Sequence, residues 1–229
     1  AVYDEIIEIN LSELKPLIAL PHSPGNVMLI REVEGKSIDQ VCIGSCTNSS
    51  LRDLKIVANI LKGKVIDKHV SLTISPGSRQ VVNHLVNSGE MSYVVKAGKA
   101  ILENTCGPCI GMGQAPHTDA VSLRTFNRNF LGRSGTKSAN VYLVSPETAA
   151  VSSINGIISD PRKYGELPQI EIPTKFIVND NMIIPPLEDS ESIEIIRGSV
   201  ACLCPRVHRL QDKLTGEVLL KVDDDITSL

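Results

Sequence analysis

The feature that most constrains the fold is an alternation of short aliphatic runs with segments of helical periodicity, from about residue 40 to residue 155. In Leu51–Lys62, for example, the apolar residues recur at the three- and four-residue spacing of one helix face. Strands that alternate with helices form βαβ units, which build a parallel sheet. The sequence therefore predicts an α/β fold, a three-layer domain in which a mainly parallel sheet is covered by helices on both faces.

The same patterns predict the individual elements and the division of the chain. Residues 1–158 are expected to form the α/β domain, 159–215 a Pro-rich extended segment that wraps it or acts as a linker, and 216–229 the start of a further domain. The predicted helices are Leu51–Lys62, Arg79–Asn87, Met91–Lys99 and Pro146–Asn155, and the predicted strands are Tyr3–Leu11, Gln40–Gly44, Val70–Ile74, Ala100–Leu102, Ala120–Thr125, Val141–Val144 and Glu217–Val222.

Composition narrows the class of protein. With no Trp, four Tyr and three Phe, the core must be aliphatic, which is typical of a parallel sheet buried on both faces. A net charge of −3 without a basic stripe argues against nucleic acid as the main partner. The longest apolar run, Val200–Cys204, is far shorter than the about 18 residues of a membrane span. The first ten residues do not resemble a signal peptide, so we expect a cytoplasmic location and reduced cysteines.

Three cysteines are candidate metal ligands. Cys106 and Cys109 form a CxxC turn, and Cys46 follows the predicted strand Gln40–Gly44. The carboxyl ends of parallel strands share one edge of the sheet, so the three thiols could meet there. Three ligands would leave one coordination position open for substrate or water, as in a Lewis-acid catalyst. The alternative interpretation of the CxxC turn is a redox pair.

The other cysteines are weaker candidates. Cys42 lies within an aliphatic strand and is expected to be a buried core residue. Cys202 and Cys204, with His208 nearby, could in principle supply a fourth ligand, but their position in the predicted linker argues against it.

Two arginines stand close together in the segment Phe126–Gly135, after a predicted strand. Arginine binds carboxylates in a bidentate manner, so Arg128 and Arg133 beside an open metal position suggest a di- or tricarboxylic acid substrate. The alternative is a solvated basic loop without a ligand.

The sequence contains five distinctive segments in this order: IGSCTNSS (Ile43–Ser50), SPGSRQV (Ser75–Val81), CGPCIGMG (Cys106–Gly113), FNRNFLGRSG (Phe126–Gly135) and VSPETAA (Val144–Ala150). In this order and spacing they closely resemble the motifs of the aconitase superfamily of iron–sulfur hydro-lyases. The likeness extends from about Tyr3 to Gly198. It corresponds to the third domain of these enzymes and the linker towards their last domain.

The resemblance implies specific roles for the site residues. Cys46, Cys106 and Cys109 would ligate a [4Fe–4S] cluster whose fourth iron binds water or hydroxide and the substrate. Asn127 and Arg128 would lie at the cluster and active site, and Arg133 would contact a substrate carboxylate or a neighbouring catalytic group. The CGPC motif favours aconitase itself, which interconverts citrate and isocitrate through cis-aconitate, over isopropylmalate dehydratase.

The family's other domains, which supply the serine base and further acidic and histidine groups, have no counterpart in the 229 residues. We therefore expect an aconitase fragment that is inactive alone and needs the missing domains or a partner chain to complete the site. Two alternatives stay open. The chain could be part of the large subunit of a related dehydratase, of the homoaconitase or isopropylmalate type, or a non-enzymatic, iron-responsive RNA-binding module.

Overall fold

A computed structural model describes residues 3–98, 100–166, 168–189 and Gly216. Contacts divide the chain into two units, Ala1–Val178 and Asn179–Leu229. The first unit contains every helix and strand discussed below. In the second unit, the described residues include a turn in which the amide of Ile183 donates to the carbonyl oxygen of Asp180 at 2.8 Å.

The described residues of the first unit contain a seven-stranded sheet. Its strands are β1 (Leu17–Ala19), β2 (Val27–Leu29), β3 (Gln40–Gly44), β4 (Ser71–Ser75), β5 (Ala100–Ile101), β6 (Val121–Arg124) and β7 (Asn140–Leu143). The spatial order is β2-β1-β7-β6-β3-β4-β5. The strands from β7 to β5 pair in parallel, whereas β1 pairs antiparallel with β2 and β7. The predicted α/β class is thus confirmed, and the five strands predicted between residues 40 and 144 lie within one residue of their expected ends.

Four α-helices pack together as one layer on this sheet: α1 (Leu51–Leu61), α2 (Arg79–Asn87), α3 (Glu90–Lys96) and α4 (Pro146–Asn155). α1 lies between α3 and α4, and α2 packs on α3. A capping box at Ser50 and Asp53 starts α1, because each side chain accepts a hydrogen bond from the backbone amide of the other. α3 ends at Lys96, earlier than predicted, because Gly98 has a φ of +94° and cannot continue a right-handed helix.

The hydrophobic core lies between the helices and one face of the sheet. Val41 and Ile43 of β3 and Leu123 of β6 are fully buried in the same cluster as Val57 and Leu61 of α1. Side chains alternate along a strand, so the neighbours of these residues point to the opposite face. Apart from Tyr142, the buried residues of this cluster are Ile, Val, Leu and Ala, so the predicted aliphatic core is confirmed.

The opposite face of the sheet is more polar and is covered by a segment other than the four α-helices. Gln40, Ser122 and Arg124 lie there, all buried. The chain between β5 and β6 covers them with the 3-10 helix Gly107–Ile110 and the loop that follows it. The third layer of the domain is thus formed here by a short 3-10 helix and loops, and it is the layer that carries the CxxC turn.

The N-terminal prediction is wrong. Tyr3–Leu11 contains no strand; it is exposed coil that leads into the 3-10 helix Leu11–Glu13. Its alternation of acidic and apolar residues is typical of a strand, but among the described residues no neighbouring strand pairs with it. The edge of the sheet is instead formed by the β1–β2 hairpin, whose three-residue strands are too short to show a pattern.

Ile177, in the part of the Pro-rich segment that belongs to the first unit, lies against α2. The ring nitrogen Nε2 of His84 accepts a hydrogen bond from the amide of Ile177 at 2.9 Å, and Gln80 Nε2 donates to the carbonyl oxygen of Ile177 at 2.8 Å. The strand predicted at Glu217–Val222 lies outside the described residues, and the division at residues 158 and 215 stays a prediction. None of the described helices is long and apolar enough to cross a membrane.

Candidate functional site

The candidate site lies beyond the carboxyl end of β3, where the strand order reverses. From β3 the chain continues through α1 to β4 on one side, while β6 pairs with the other side of β3. In parallel sheets this reversal opens a crevice at the carboxyl ends of the strands, where ligands usually bind. The loop that starts in this crevice carries Cys46.

Close backbone contacts hold the loops after β3 and β4 together. Gly44 has a φ of +117°, and a Cβ atom there would lie 1.9 Å from the carbonyl oxygen of Ser75. The amide of Ser45 donates to that same oxygen at 3.1 Å. Gly77 also approaches Ser49, since a Cβ atom at Gly77 would lie 2.7 Å from Ser49 Oγ and 2.9 Å from the Ser49 carbonyl oxygen. The glycines of the first two motifs therefore allow two strand-end loops to touch.

Thr125, which directly follows β6, links the third loop to the other two. Its Oγ1 accepts a hydrogen bond from the amide of Gly44 at 2.8 Å, and its carbonyl oxygen accepts from Asn48 Nδ2 at 2.5 Å. These two bonds fix the start of the loop that carries the arginines relative to the loop that carries Cys46.

A small cleft separates the loop of Cys46 from the CxxC turn. It has a volume of about 120 Å³ and is lined by Ser45, Cys46, Pro76, Gly77, Asn104, Thr105 and Cys106. The thiols of Cys46 and Cys106 are exposed, both line this cleft, and each shifts the pKa of the other. The structure thus brings together two cysteines that are far apart in the sequence, as expected for loops at the carboxyl ends of parallel strands.

The two thiols differ in acidity. Hydrogen bonding by the hydroxyls of Thr47 and Ser45 lowers the pKa of Cys46, and the contact with Cys106 adds to this. The same contact raises the pKa of Cys106, and desolvation and the nearby Cys109 act in the same direction. Cys46 therefore becomes a thiolate first.

Cys109 lies half-buried on the 3-10 helix, and its amide donates to the carbonyl oxygen of Cys106 at 3.1 Å. Within the described residues, no three His, Cys, Asp or Glu side chains are close enough to bind a single metal ion. An iron–sulfur cluster takes each thiolate on a different iron, so its ligands stand farther apart than the ligands of one ion. Free, accessible thiols on two facing loops are donors suited to such a cluster.

The remaining cysteines fall as follows. Cys42 is buried, as expected, and burial raises the pKa of its thiol, which accepts a hydrogen bond from Thr73 Oγ1 at 3.4 Å. Cys202, Cys204 and His208 lie outside the described residues.

The arginine loop, Phe126–Gly135, follows β6. Asn127 and Arg128 are exposed, whereas Arg133 is half-buried with its guanidinium 5.5 Å from the centre of the Phe130 ring. The buried Asn129 anchors the loop, because its Nδ2 donates to the carbonyl oxygens of Leu20 at 2.8 Å and Val141 at 3.0 Å.

The arginine loop also touches the CxxC loop, Cys106–Gln114. Gly111 has a φ of +86°, and its backbone packs directly against that of Ser134. The three predicted cluster cysteines and the residues of the arginine loop therefore lie on loops that are joined by hydrogen bonds and backbone contacts.

Arg124 is not among the site residues predicted from the sequence. This residue is completely buried beneath the CxxC loop, where it donates hydrogen bonds to loop carbonyl oxygens and to side chains of β3 and β6. The available signal was an arginine inside a strand predicted to be buried on both faces, a place where an unpaired charge is costly.

The chain is similar in sequence to a known protein family and to several of its characterised members. The family model described as "Aconitase family (aconitate hydratase)" matches residues 1–156. Large subunit 2 of 3-isopropylmalate dehydratase from Archaeoglobus fulgidus is 42% identical over 165 residues, which are 72% of this chain and 40% of that protein. The large subunit from Caldanaerobacter subterraneus is 45% identical over 165 residues, 71% of this chain and 39% of that protein. The chain thus spans about 40% of the length of these relatives.

Proposed function

Because the chain belongs to the aconitase family, we propose that it is part of the large subunit of a hydro-lyase acting on a hydroxy acid of the 3-isopropylmalate type. The relatives at 42–45% identity carry that name, which favours this alternative over the citrate–isocitrate interconversion expected from the CGPC motif. The observation that carries the proposal is the meeting of Cys46 and Cys106 at the strand-end crevice, with the arginine loop joined to the CxxC loop.

We further propose that Cys46, Cys106 and Cys109 hold a [4Fe–4S] cluster. Such a cluster, when bound, supplies an iron without a protein ligand, which acts as a Lewis acid on the substrate hydroxyl. Cys46 is suited to ligation because its hydroxyl neighbours favour the thiolate form. The hydrogen bond between the Cys109 amide and the Cys106 carbonyl closes the turn that carries both thiols.

The arginine loop would bind the substrate carboxylates. Arg128 is exposed and can reach a ligand outside the domain surface, and a guanidinium can hold a carboxylate through two parallel hydrogen bonds. The Phe130 ring limits the orientations of Arg133, so less side-chain entropy is lost when it binds an anion. Asn127, exposed beside Arg128, can donate a further hydrogen bond from its amide.

The complete active site would need parts that this chain does not contain. The relatives are about two and a half times as long as the stretch they share with it, and their names as large subunits imply a second subunit. A proton must be removed from the carbon next to the one that bears the hydroxyl, and we expect the base for this step to come from those other parts.

The test is the substrate preference of the complete enzyme in which this chain occurs, assembled anaerobically with its partner subunit. We expect dehydration of 3-isopropylmalate, followed by the ultraviolet absorbance of the unsaturated product, to exceed dehydration of citrate. A clear preference for citrate would instead identify aconitate hydration, the activity in the family model's description.

A further inference from the structure

Arg124 is the largest completely buried charged side chain described in the domain. Its guanidinium donates from Nε to Ser122 Oγ at 3.1 Å and from Nη2 to Gln40 Oε1 at 2.9 Å. Two further bonds reach the CxxC loop, from Nη2 to the carbonyl oxygen of Gln114 at 2.8 Å and from Nη1 to that of Pro108. One side chain therefore joins two strands of the sheet to the loop that covers them.

The contact points on the loop are informative. Pro108 lies between Cys106 and Cys109, and Gln114 ends the same loop. On the other side, Gln40 begins β3, the strand that ends just before Cys46. Gln40 also donates from Nε2 to Gln114 Oε1 at 3.2 Å and accepts from Ser122 Oγ at 2.8 Å. The guanidinium is thus the centre of a hydrogen-bond network that fixes the CxxC turn relative to β3, the strand that precedes Cys46.

The charge of Arg124 is not balanced by a carboxylate. Every acceptor of its hydrogen bonds is a neutral oxygen, and the ion pairs found among the described residues do not include it. Burying a charged group without an opposite charge is costly. Burial accordingly lowers the pKa of Arg124, and the neighbouring thiols of Cys42 and Cys109 act in the opposite direction.

We propose that Arg124 is a positioning residue of the three-cysteine site. It holds the CxxC turn through the Pro108 carbonyl, and it supplies the buried positive charge that offsets the negative charge of the thiolate-ligated cluster. This inference rests on the proposed function. Arginine suits both tasks because its rigid, planar fork can donate to several acceptors at once and stays charged, whereas lysine offers a single charged point.

The experiment compares the reconstituted full chain with Arg124→Met, Arg124→Lys and Gln40→Glu. The last variant keeps an acceptor for Arg124 but places a carboxylate against its charge. Arg162→Met is the control, since Arg162 forms an ion pair with Asp160 on the 3-10 helix after α4. For each protein we would measure the reduction potential of the cluster by anaerobic titration and the loss of iron to a competing chelator.

We expect Arg124→Met and Gln40→Glu to shift the potential to more negative values, because each removes or neutralises the nearby positive charge. Arg124→Lys should nearly keep the potential but lose the fork, so its iron affinity should fall. Residues that orient metal ligands typically contribute about 10- to 100-fold in affinity, and we expect a loss of that order for Arg124→Met and Arg124→Lys. The control should resemble the unmodified chain in both measurements.

Potentials and chelator resistance that match the unmodified chain in Arg124→Met would overturn the proposal. If that variant does not fold, an unchanged potential in Gln40→Glu overturns it. Failure of the unmodified chain to bind a cluster would contradict the proposed function instead. In that case, hydrogen exchange of the amides of Cys109 and Gly111 in the metal-free chain tests the positioning role alone: faster exchange in Arg124→Lys supports it, and unchanged exchange contradicts it.

Discussion

A Cβ atom on Gly111 would lie 2.2 Å from the carbonyl oxygen of Ser134, so these two residues can be neighbours only if position 111 has no side chain. The contact joins the loop that carries the CxxC turn to the loop that carries Arg128 and Arg133. The position of the CxxC turn relative to the arginines proposed to bind the substrate therefore depends on Gly111.

The first prediction concerns this contact. Gly111→Ala should force the two loops apart, since the clash is with backbone, and should lower both the free energy of unfolding and iron loading. Gly113→Ala is a matched control, because Gly113 also has a positive φ, +72°, but nothing lies within 4 Å of a Cβ atom there. The control should lose only the about 1–2 kcal/mol of left-handed backbone strain. Equal stability of the two variants in urea titrations would contradict the role assigned to the contact.

Cysteine substitutions test the ligand assignment. After anaerobic reconstitution with iron and sulfide, the chain should show the broad visible absorbance of sulfur-to-iron charge transfer. Cys46→Ser, Cys106→Ser and Cys109→Ser should each abolish it, since the proposed cluster has no protein ligand to spare. Cys202→Ser and Cys204→Ser should leave the absorbance intact. An essential cysteine in that pair, together with a dispensable Cys46, would show that the ligands are assigned wrongly.

The unequal acidity of Cys46 and Cys106 predicts an order of reaction in the metal-free chain. As the pH rises, the thiolate of Cys46 forms below the usual thiol pKa and that of Cys106 above it, so alkylation should reach Cys46 first. Mass spectrometry of the alkylated chain over a pH series would measure this. Thr47→Val should move the Cys46 profile to higher pH, because it removes the largest cause of the shift. Simultaneous labelling of both thiols at every pH would count against the assigned contacts.

The buried Cys42 provides an internal reference for the same labelling experiment. Its thiol is inaccessible and has a raised pKa, so it should react only when the chain unfolds. Early labelling of Cys42 would mean that the metal-free chain does not keep the described fold.

Arg128 should matter for substrate binding more than for stability. In the complete enzyme, Arg128→Lys should raise KM by roughly 10-fold or more, since a single bidentate contact becomes a point charge. Arg52→Lys, on the exposed side of α1, is the control and should leave KM unchanged. Equal KM values for Arg128→Lys and the unmodified enzyme would remove Arg128 from the proposed substrate site.

The 229-residue chain on its own should have little or no activity, even with a full cluster. A positioned acid or base typically contributes about 10²- to 10⁴-fold, and we expect those groups to come from other parts of the enzyme. An anaerobic assay with 3-isopropylmalate and citrate, following the absorbance of the unsaturated products, would measure this. Robust turnover that is lost in Arg128→Lys would show that the chain carries a complete active site.

Local patterns were sufficient for most of the α/β domain. The ends of β3, α2 and α4 agree with prediction to the residue, because their apolar periodicity, caps and turn residues are all encoded within the segment itself. Tyr3–Leu11 failed because alternation specifies a strand only if another strand is available to pair with it, and that is decided by the tertiary structure.

The site was predictable only in part, because some of its contacts also depend on the tertiary structure. Motif spacing placed the cysteines and arginines on strand-end loops, and the structure joins those loops. The roles of Asn127, Arg128 and Arg133 stay predictions. The network around Arg124 could not be predicted, since it forms between residues of β3, β6 and the CxxC loop that approach one another only after folding.

The anchoring of Asn129 has a practical consequence for anyone who shortens this chain. One of its two amide hydrogen bonds goes to Leu20, more than a hundred positions earlier. A trimmed protein that begins after the β1–β2 hairpin would retain every cysteine and arginine discussed above. In that protein Asn129, in the loop that bears Arg128, would lose one of its two hydrogen-bond acceptors. The shortest fragment that keeps both hydrogen bonds of Asn129 must therefore include Leu20, well before the first motif at Ile43.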